Sequence, residues 1–170
     1  GQYISNNDEI NYRIRFENDS VLASSAAQTV RITVAIDEEL DASTLQLGDF
    51  GVGQYFFSVP QNRISYSTIE DLPDSLGYDL RFTAGLDAVN NEIFWFLETI
   101  DPNTGLPPND PNDGILAIND SLGNGEGFVL YSISPASSAI TGDTISAQAE
   151  IIFDINAPIN TNIWTNLIDA

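Results

Sequence analysis

Hydrophobic and polar residues alternate along several short runs of this chain, and helical spacing of apolar residues is rare. A period of two places successive side chains on opposite faces of a β-strand, so each run predicts a strand with one buried face. The clearest runs are residues 12–17, 30–37 and 78–86. Residues 93–97 are apolar throughout, which is typical of a central strand covered on both faces.

Further strands are predicted at residues 128–133 and 145–153, with weaker ones near 55–59 and 63–67. Turn-forming Asn, Asp, Pro and Gly residues separate the runs, notably at 18–20, 60–62, 72–75 and 141–143. Many short strands joined by such turns predict an all-β fold, an immunoglobulin-like antiparallel β-sandwich. No internal repeat or linker divides the sequence, so we expect a single domain over residues 1–170.

One stretch breaks the alternation. Residues 101–127 read DPNTGLPPNDPNDGILAINDSLGNGEG, which predicts one long acidic loop. Loops longer than about 12–15 residues in a compact domain are usually functional or disordered. The prolines and the Asp and Asn residues favour fixed turns, which indicates an ordered, functional loop.

The charge of the chain limits its partners. There are 25 acidic and 5 basic residues, a net charge of −20, and every basic residue is arginine. A field of this sign repels phosphate backbones and anionic lipids, so nucleic acid and membrane surfaces are not expected partners. No apolar run reaches the roughly 18 residues that a membrane-spanning helix needs, so no membrane insertion is expected. Either bound divalent cations or screening by high salt would relieve the repulsion among the carboxylates.

Three missing residue types limit the chemistry further, since the chain contains no cysteine, histidine or lysine. Thiol catalysis, disulfides, imidazole-based triads and Schiff-base chemistry are therefore excluded. A pair of carboxylates can hydrolyse glycosides, but no feature selects one pair from the 25 acids, and we do not expect an enzyme. Oxygen ligands remain, and calcium is the metal that fits them best.

Two fragments of the loop have the spacing of calcium-binding turns. Residues 101–105 and 110–114 each place Asp and Asn two positions apart, with a glycine at the fifth position. The same strings are ordinary turn formers, and that alternative stays open. The predicted calcium ligands are Asp101, Asn103, Asp110, Asn112, Asp113, Glu126, Asp154 and Asn156.

Asp154 and Asn156 follow the last long predicted strand. If the strand continues through them, they point to the same side and are available to a metal. The alternative is that Asp154 only hydrogen-bonds the turn before Pro158. Both interpretations remain open.

Aromatic residues indicate a second kind of site. Trp95 lies in the most apolar run and is expected in the core. Trp164 lies in a polar stretch, and we predict that Trp164 and Tyr55 contact a ligand such as a sugar by stacking.

Several segments of the chain carry a family resemblance. They are "INYRIRFEND" near the start and, later, "IDPNTGLPPNDPNDGIL", "GEGFVLYSI" and "ITGDTISAQAEIIFDINAPINTNIWTNLID". These segments resemble immunoglobulin-like β-sandwich modules of large bacterial surface proteins, including calcium-dependent adhesins of the RTX type. The resemblance implies a secreted or cell-surface location and a mechanical or adhesive role. It supports as calcium ligands Asp101, Asn103, Asp110, Glu126, Asp154 and Asn156.

The leading hypothesis is an extracellular structural or adhesive module of a large bacterial surface adhesin, made rigid by Ca2+. Its expected partners are neighbouring modules of the same polypeptide and surface glycans, and the isolated domain is expected to be monomeric. The alternative is a carbohydrate-binding module of a secreted protein.

Overall fold

The computed structural model describes residues 2–73 and 76–169. Within these residues the chain forms thirteen β-strands and no helix. The strands in chain order are β1 (Gln2–Ile4), β2 (Ile10–Glu17), β3 (Thr29–Ala35), β4 (Leu40–Val52), β5 (Tyr55–Phe57), β6 (Ser65–Asp71), β7 (Asp79–Asp87), β8 (Glu92–Ile100), β9 (Glu126–Pro135), β10 (Thr144–Ala147), β11 (Ala149–Phe153), β12 (Ile159–Asn160) and β13 (Trp164–Ile168). Asp74 and Ser75, in the predicted turn at 72–75, lie outside the described residues.

The strands form three sheets. The largest has the order β12-β11-β3-β8-β7-β6, the second β2-β9-β4-β5, and the smallest β1-β13-β10. Neighbouring strands are antiparallel except β1, which runs parallel to β13. The predicted all-β antiparallel β-sandwich is confirmed.

The inner faces of the two larger sheets form one hydrophobic core. Phe50 of β4 stacks on Phe82 of β7 with ring centroids 3.7 Å apart. Trp95 of β8 lies 5.3 Å from the ring of Tyr131 in β9 and is fully buried, as predicted. A smaller core beside the three-stranded sheet consists of Ile10, Ala139, Ile145 and Ile168.

The alternating runs at 12–17, 30–37 and 78–86 coincide with β2, β3 and β7, so these predictions are confirmed. The predicted strand at 145–153 is wrong in one respect, because it breaks at Gln148 into β10 and β11, which belong to different sheets.

Strand β8 is central in the largest sheet, between β3 and β7. Its outer face is only half covered, because Phe94 and Phe96 remain partly accessible to solvent. The guanidinium of Arg31 lies 4.3 Å from the ring centroid of Phe96. The apolar run predicted that both faces of this strand are covered. On the outer face, part of the cover is the side chain of Arg31.

Candidate functional site

The segment between β8 and β9, residues 101–125, contains turns and a single isolated bridge, between Ala27 and Leu116. Asn18, which follows the last residue of β2, holds the second half of this segment. Its side-chain amide donates hydrogen bonds to the carbonyl oxygens of Leu116 and Ala117, each at 3.2 Å. Its backbone N–H donates to the carbonyl of Gly125 at 2.8 Å. Asn18 therefore holds the segment at two places.

Gln28 and Thr99 hold the first half. The side-chain amide of Gln28 donates to the carbonyl oxygen of Asp110 at 2.7 Å. The Thr99 hydroxyl donates to the Gln28 carbonyl at 2.8 Å and accepts from the buried N–H of Ile115 at 3.0 Å. At Gly114 a Cβ atom would collide with the carbonyl oxygen of Ala27, so only glycine fits this close approach. Hydrogen bonds and one close backbone contact thus hold this part of the segment against the start of β3 and the end of β8.

Asp101 and Asp110 each close a turn of their own. The Oδ1 of Asp101 accepts the N–H of Asn103 at 2.9 Å. The Oδ1 of Asp110 accepts the N–H of Asn112, also at 2.9 Å. These contacts are Asx turns, the ordinary turn chemistry that the sequence left open as an alternative. The side chains of Asn103 and Asn112 face solvent.

Three of the predicted calcium ligands affect the pKa of one side chain, Tyr78. The pKa of the Tyr78 hydroxyl is raised, first by a hydrogen bond to Asp113 and further by partial burial and by the charges of Asp113, Asp101 and Asp110. In the described part of the chain, however, no three acidic side chains are arranged so that they could hold a metal ion as they stand.

Asp154 lies in a turn, because β11 ends at Phe153. The strand thus ends at Phe153, as the predicted bounds had it, and Asp154 and Asn156 do not share the face of a continuing strand. The backbone of Asp154 has φ 51°, a left-handed conformation that Asp tolerates better than most residues. Its Oδ1 accepts the N–H groups of Gln28 and Thr29, each at 2.9 Å. Asp154 thus fastens the start of β3 instead of the turn before Pro158, and Asn156 is exposed beside it.

Glu126 is the first residue of β9 and pairs with Glu17 of β2. The side-chain amide of Asn119 lies between the two carboxylates and donates to Glu17 at 2.8 Å and to Glu126 at 3.2 Å. Glu126 is a predicted calcium ligand, but it is not among the carboxylates that raise the pKa of Tyr78.

Asp120 closes another turn of the loop, and the sequence analysis did not predict this role. Its carboxylate accepts the side-chain amide of Asn124 at 2.7 Å and the backbone N–H groups of Leu122 and Asn124. The side-chain bond and then the backbone bonds lower the pKa of Asp120. The Asp–Ser–Leu–Gly–Asn spacing indicates a turn, and that signal was available in the sequence.

Trp164 borders a groove of about 740 Å³ between β2 and the three-stranded sheet. Half of the Trp164 surface, 50 %, is exposed. Other residues that line the groove are Gln2, Tyr12, Gln148, Thr161 and Asn162. Tyr55 instead packs against the main core from strand β5 and does not line this groove. The two aromatic residues that were predicted to share a ligand site are therefore apart.

Comparisons with known proteins agree with this architecture. The N-terminal domain of the Streptococcus gordonii adhesin Sgo0707 has a similar structure, with a TM-score of 0.50 and 14% sequence identity. The match covers 98% of this chain but only 30% of the length of that one. At this identity the match shows a shared fold: the chain is a β-sandwich of the kind found in a bacterial adhesin domain.

Two weaker structural matches are collagen-binding domains. For ACE19, from the Enterococcus faecalis surface protein ACE, the TM-score is 0.44 at 8% identity, covering 99% of this chain and 92% of that one. For the collagen-binding domain of a Staphylococcus aureus adhesin it is 0.42 at 13% identity, covering 100% and 95%. In sequence, residues 114–167 match a domain of unknown function (DUF7619). None of the curated proteins matches the sequence.

The described residues contain no helix long and apolar enough to cross a membrane.

Proposed function

We propose that this chain is a binding module, without catalytic activity, of a bacterial surface adhesin, and that its ligand lies in the groove beside Trp164. The fold shared with an adhesin domain supports the proposal. The resemblance of several segments to modules of large bacterial surface proteins supports it as well. A cell-surface location and neighbouring modules of the same polypeptide as partners belong to the same proposal.

The observation that carries the proposal is the half-exposed indole of Trp164 on the wall of a groove of about 740 Å³. Ligand sites are typically concave, about 300–1,000 Å³ in volume, and combine apolar surface with a few polar groups. The polar groups here include the amides of Gln2, Gln148 and Asn162, which both donate and accept hydrogen bonds. The charged residues Asp8, Glu9, Arg13 and Arg15 also line the groove. An aromatic face beside amide side chains suits a glycan, whose ring stacks on the indole while its hydroxyls bind the amides.

Trp164 also supplies the test. The chain has 2 tryptophans, and because Trp95 is 0% exposed while Trp164 is 50% exposed, a ligand in the groove changes the fluorescence of Trp164 alone. We expect binding on an array of neutral glycans, with a fluorescence change that Trp164→Ala abolishes. Val89→Ala removes a large exposed side chain far from the groove and should leave binding unchanged. If no glycan binds, or if binding survives in Trp164→Ala, the groove is not the ligand site.

We also propose that the module binds calcium. The net charge of −20 supports it, as do the charges of Asp101, Asp110 and Asp113, all of which raise the pKa of Tyr78. Calcium at this position would join the first half of the loop to the strand that begins at Asp79, next to Tyr78. Within the described residues no three acidic side chains are placed to hold an ion, and Asp101 and Asp110 each close an Asx turn. Backbone carbonyls, amide oxygens or water would complete the coordination.

A further inference from the structure

Four residues form a row across the outer, solvent-facing side of the β2-β9-β4-β5 sheet. Arg15 pairs with Phe128, Phe128 with Gly51, and Gly51 with Phe56. Paired residues of neighbouring strands point to the same side of a sheet, so Arg15, Phe128 and Phe56 share one surface. Arg15, Phe56 and Phe128 are far apart in sequence, and the pairing of the strands brings them together.

Gly51 is the reason that the two phenylalanine rings meet. A Cβ atom at this position would lie 2.5 Å from the ring of Phe128 and 2.8 Å from that of Phe56. Without a side chain at 51, the rings approach to 5.7 Å between centroids. We call Phe56 and Phe128 the aromatic shelf. Phe56 is 70% exposed, so the shelf presents an apolar face to solvent.

Two arginines lie along this shelf. The guanidinium of Arg13 lies 4.5 Å from the ring centroid of Phe128, a cation–π contact that holds it in place. Arg15 is exposed at the end of the row. Among the described residues, Arg81 and Glu98 form the one ion pair, at 3.7 Å. In a chain with 25 acidic residues, two neighbouring arginines without a carboxylate partner are therefore available to an anionic ligand.

Open space adjoins the shelf on both sides. A cavity of about 610 Å³ is bordered by Arg15, Phe56 and Phe128 together with Gln54 and Glu126. A second, of about 250 Å³, lies against Arg13, Phe56 and Phe128. The larger volume is within the range of small-molecule sites and suits one or two sugar rings.

We infer that this face of the sheet is a second binding site, which takes a sugar that carries a carboxylate. The apolar face of the sugar ring stacks on Phe56. The carboxylate accepts hydrogen bonds from the guanidinium of Arg15, whose planar fork matches its two oxygens. Gln54 and Glu126 are positioned for the hydroxyls. The inference rests on the adhesive role proposed above. Arg13 and Arg15 also border the Trp164 groove, whereas Phe56 and Phe128 line only the cavities of this face.

The overall negative charge does not prevent such a contact. At physiological ionic strength the Debye length is about 8 Å, so exposed acids further away than this are largely screened. The two arginines act at contact distance, where screening is weak. Glu17 and Glu126 border the same cavity, but the side-chain amide of Asn119 donates to both carboxylates. The arginines are therefore the groups on this face that favour an acidic sugar.

Titration calorimetry with 3′-sialyllactose and trigalacturonate, each beside a neutral counterpart (lactose and galactotriose), tests the inference. We expect at least one acidic sugar to bind about tenfold more tightly than its neutral counterpart, since hydrogen bonds to a charged group are the stronger kind. The pair that shows the difference also identifies the source of the carboxylate, a sialic acid or a uronic acid. Equal affinity for acidic and neutral sugars, or no binding of either acidic sugar, would overturn the inference.

Variants assign the binding to this face. Arg15→Gln should weaken the binding of the acidic sugar by about tenfold. Arg63→Gln makes the same change at an exposed arginine in a loop elsewhere and should leave the affinity unchanged. Phe56→Ala should abolish binding and Phe56→Trp should retain it, because the second keeps the stacking surface. Trp164→Ala should leave the acidic sugar unaffected. Arg15 also borders the groove, so the distinction between the two sites depends on Phe56 and Trp164. If Trp164→Ala abolishes binding of the acidic sugar and Phe56→Ala does not, the ligand lies in the groove, which overturns the second site and leaves the adhesive proposal intact.

Discussion

The side-chain amide of Asn18 donates a hydrogen bond to the carbonyl oxygen of Leu116, 98 positions further along the chain, at 3.2 Å in a buried environment. The same amide also reaches the carbonyl of Ser25 at 3.0 Å. One side chain therefore satisfies backbone groups of two different segments, and Asn18 itself is 7% exposed. Water cannot easily replace these bonds, because the site is closed to solvent.

We predict that Asn18→Ala lowers the free energy of unfolding by about 1–3 kcal/mol, since it removes the side-chain hydrogen bonds to the carbonyl oxygens of Ser25, Leu116 and Ala117. The Leu116 carbonyl keeps the N–H of Ala27 as a donor. Urea denaturation measures the change, and amide hydrogen exchange should rise first at residues 116–119. Asn112→Ala is the matched control: Asn112 lies in the same loop, but its side chain faces solvent, so its effect should stay within about 0.5 kcal/mol. Equal stability of Asn18→Ala and the wild type would show that the loop is held by other contacts.

Local patterns predicted the strands whose alternation is regular, because a period of two depends only on neighbouring residues. In β13 the buried positions are Asn166 and Ile168, and a buried asparagine hides the apolar period. In β4 two register shifts, between Asp41 and Gln46 and between Leu47 and Phe50, interrupt the alternation. Both strands were missed for these reasons.

The contacts that organise the long loop were beyond local patterns for a different reason. Gln28 and Asp110 are 82 positions apart, and Asp154 and Gln28 are 126 apart. The sequence predicted that Asp154 binds calcium or hydrogen-bonds a turn. Its carboxylate reaches the start of β3 only because β11 pairs with β3. The aromatic shelf was missed for the same reason, since it depends on the register of four strands.

Asp154 offers a test that separates a structural role from a metal ligand. Asp154→Ala removes the acceptor for two backbone N–H groups and places alanine at φ 51°. We expect a loss of about 2–4 kcal/mol in urea denaturation. Asp154→Asn keeps an oxygen acceptor and tolerates the left-handed backbone, so it should recover most of that loss, with and without a chelator. If calcium stabilises the wild type but not the Asp154→Asn variant, Asp154 is instead a metal ligand.

Calcium should raise the melting temperature if the proposed site near Tyr78 exists. At ten times the dissociation constant one site adds roughly 1.4 kcal/mol, which corresponds to about 3–6 °C for a domain of this size. Asp113→Asn should abolish the shift between calcium and EGTA, and Glu150→Gln, an exposed acid on β11, should preserve it. Magnesium should have a smaller effect, because it demands a more rigid octahedral site. An identical melting temperature in calcium and EGTA would contradict this part of the proposal.

Tyr12 should make the fold sensitive to alkali. Burial, and then the charge of Asp37, raises the pKa of Tyr12 from 10.0 to about 12. The unfolded chain ionises first, so the stability linked to this group is complete below pH 10 and is lost as the pH rises from 10 through about 12.

Tyr12→Phe should therefore flatten the loss of stability between pH 9 and pH 12, measured by urea denaturation at each pH. Within the described residues the Tyr12 hydroxyl is buried without a hydrogen-bond partner, so its removal should not destabilise the protein at pH 7. Tyr3→Phe removes a hydroxyl from a residue that is 69% exposed and should keep the pH dependence of the wild type. An unchanged slope in Tyr12→Phe would mean that other groups govern alkaline unfolding, Tyr131 first among them, because burial also raises its pKa.

Gly51 and Gly85 allow the aromatic shelf to be tested against a matched background, since both are glycines within strands. At Gly85 a Cβ atom would make ordinary contacts, 3.4 Å from the ring of Phe94 and 3.5 Å from Ser65. At Gly51 the nearest ring atoms would be 2.5 Å and 2.8 Å away, so Phe56 and Phe128 must move apart. Gly51→Ala should cost about 1–3 kcal/mol by overpacking, whereas Gly85→Ala should be neutral or stabilising by up to about 1 kcal/mol.

The two glycine variants also separate the shelf from the groove as ligand sites. Displaced rings no longer offer one flat surface, so Gly51→Ala should weaken the binding of a carboxylated sugar while the fluorescence response of Trp164 to a neutral glycan persists. Calorimetry and tryptophan fluorescence on the same preparations distinguish these effects, and circular dichroism at the assay temperature establishes that both variants are folded. If folded Gly51→Ala binds the acidic sugar as tightly as Gly85→Ala does, stacking on Phe56 and Phe128 contributes nothing, and the arginines act without the shelf.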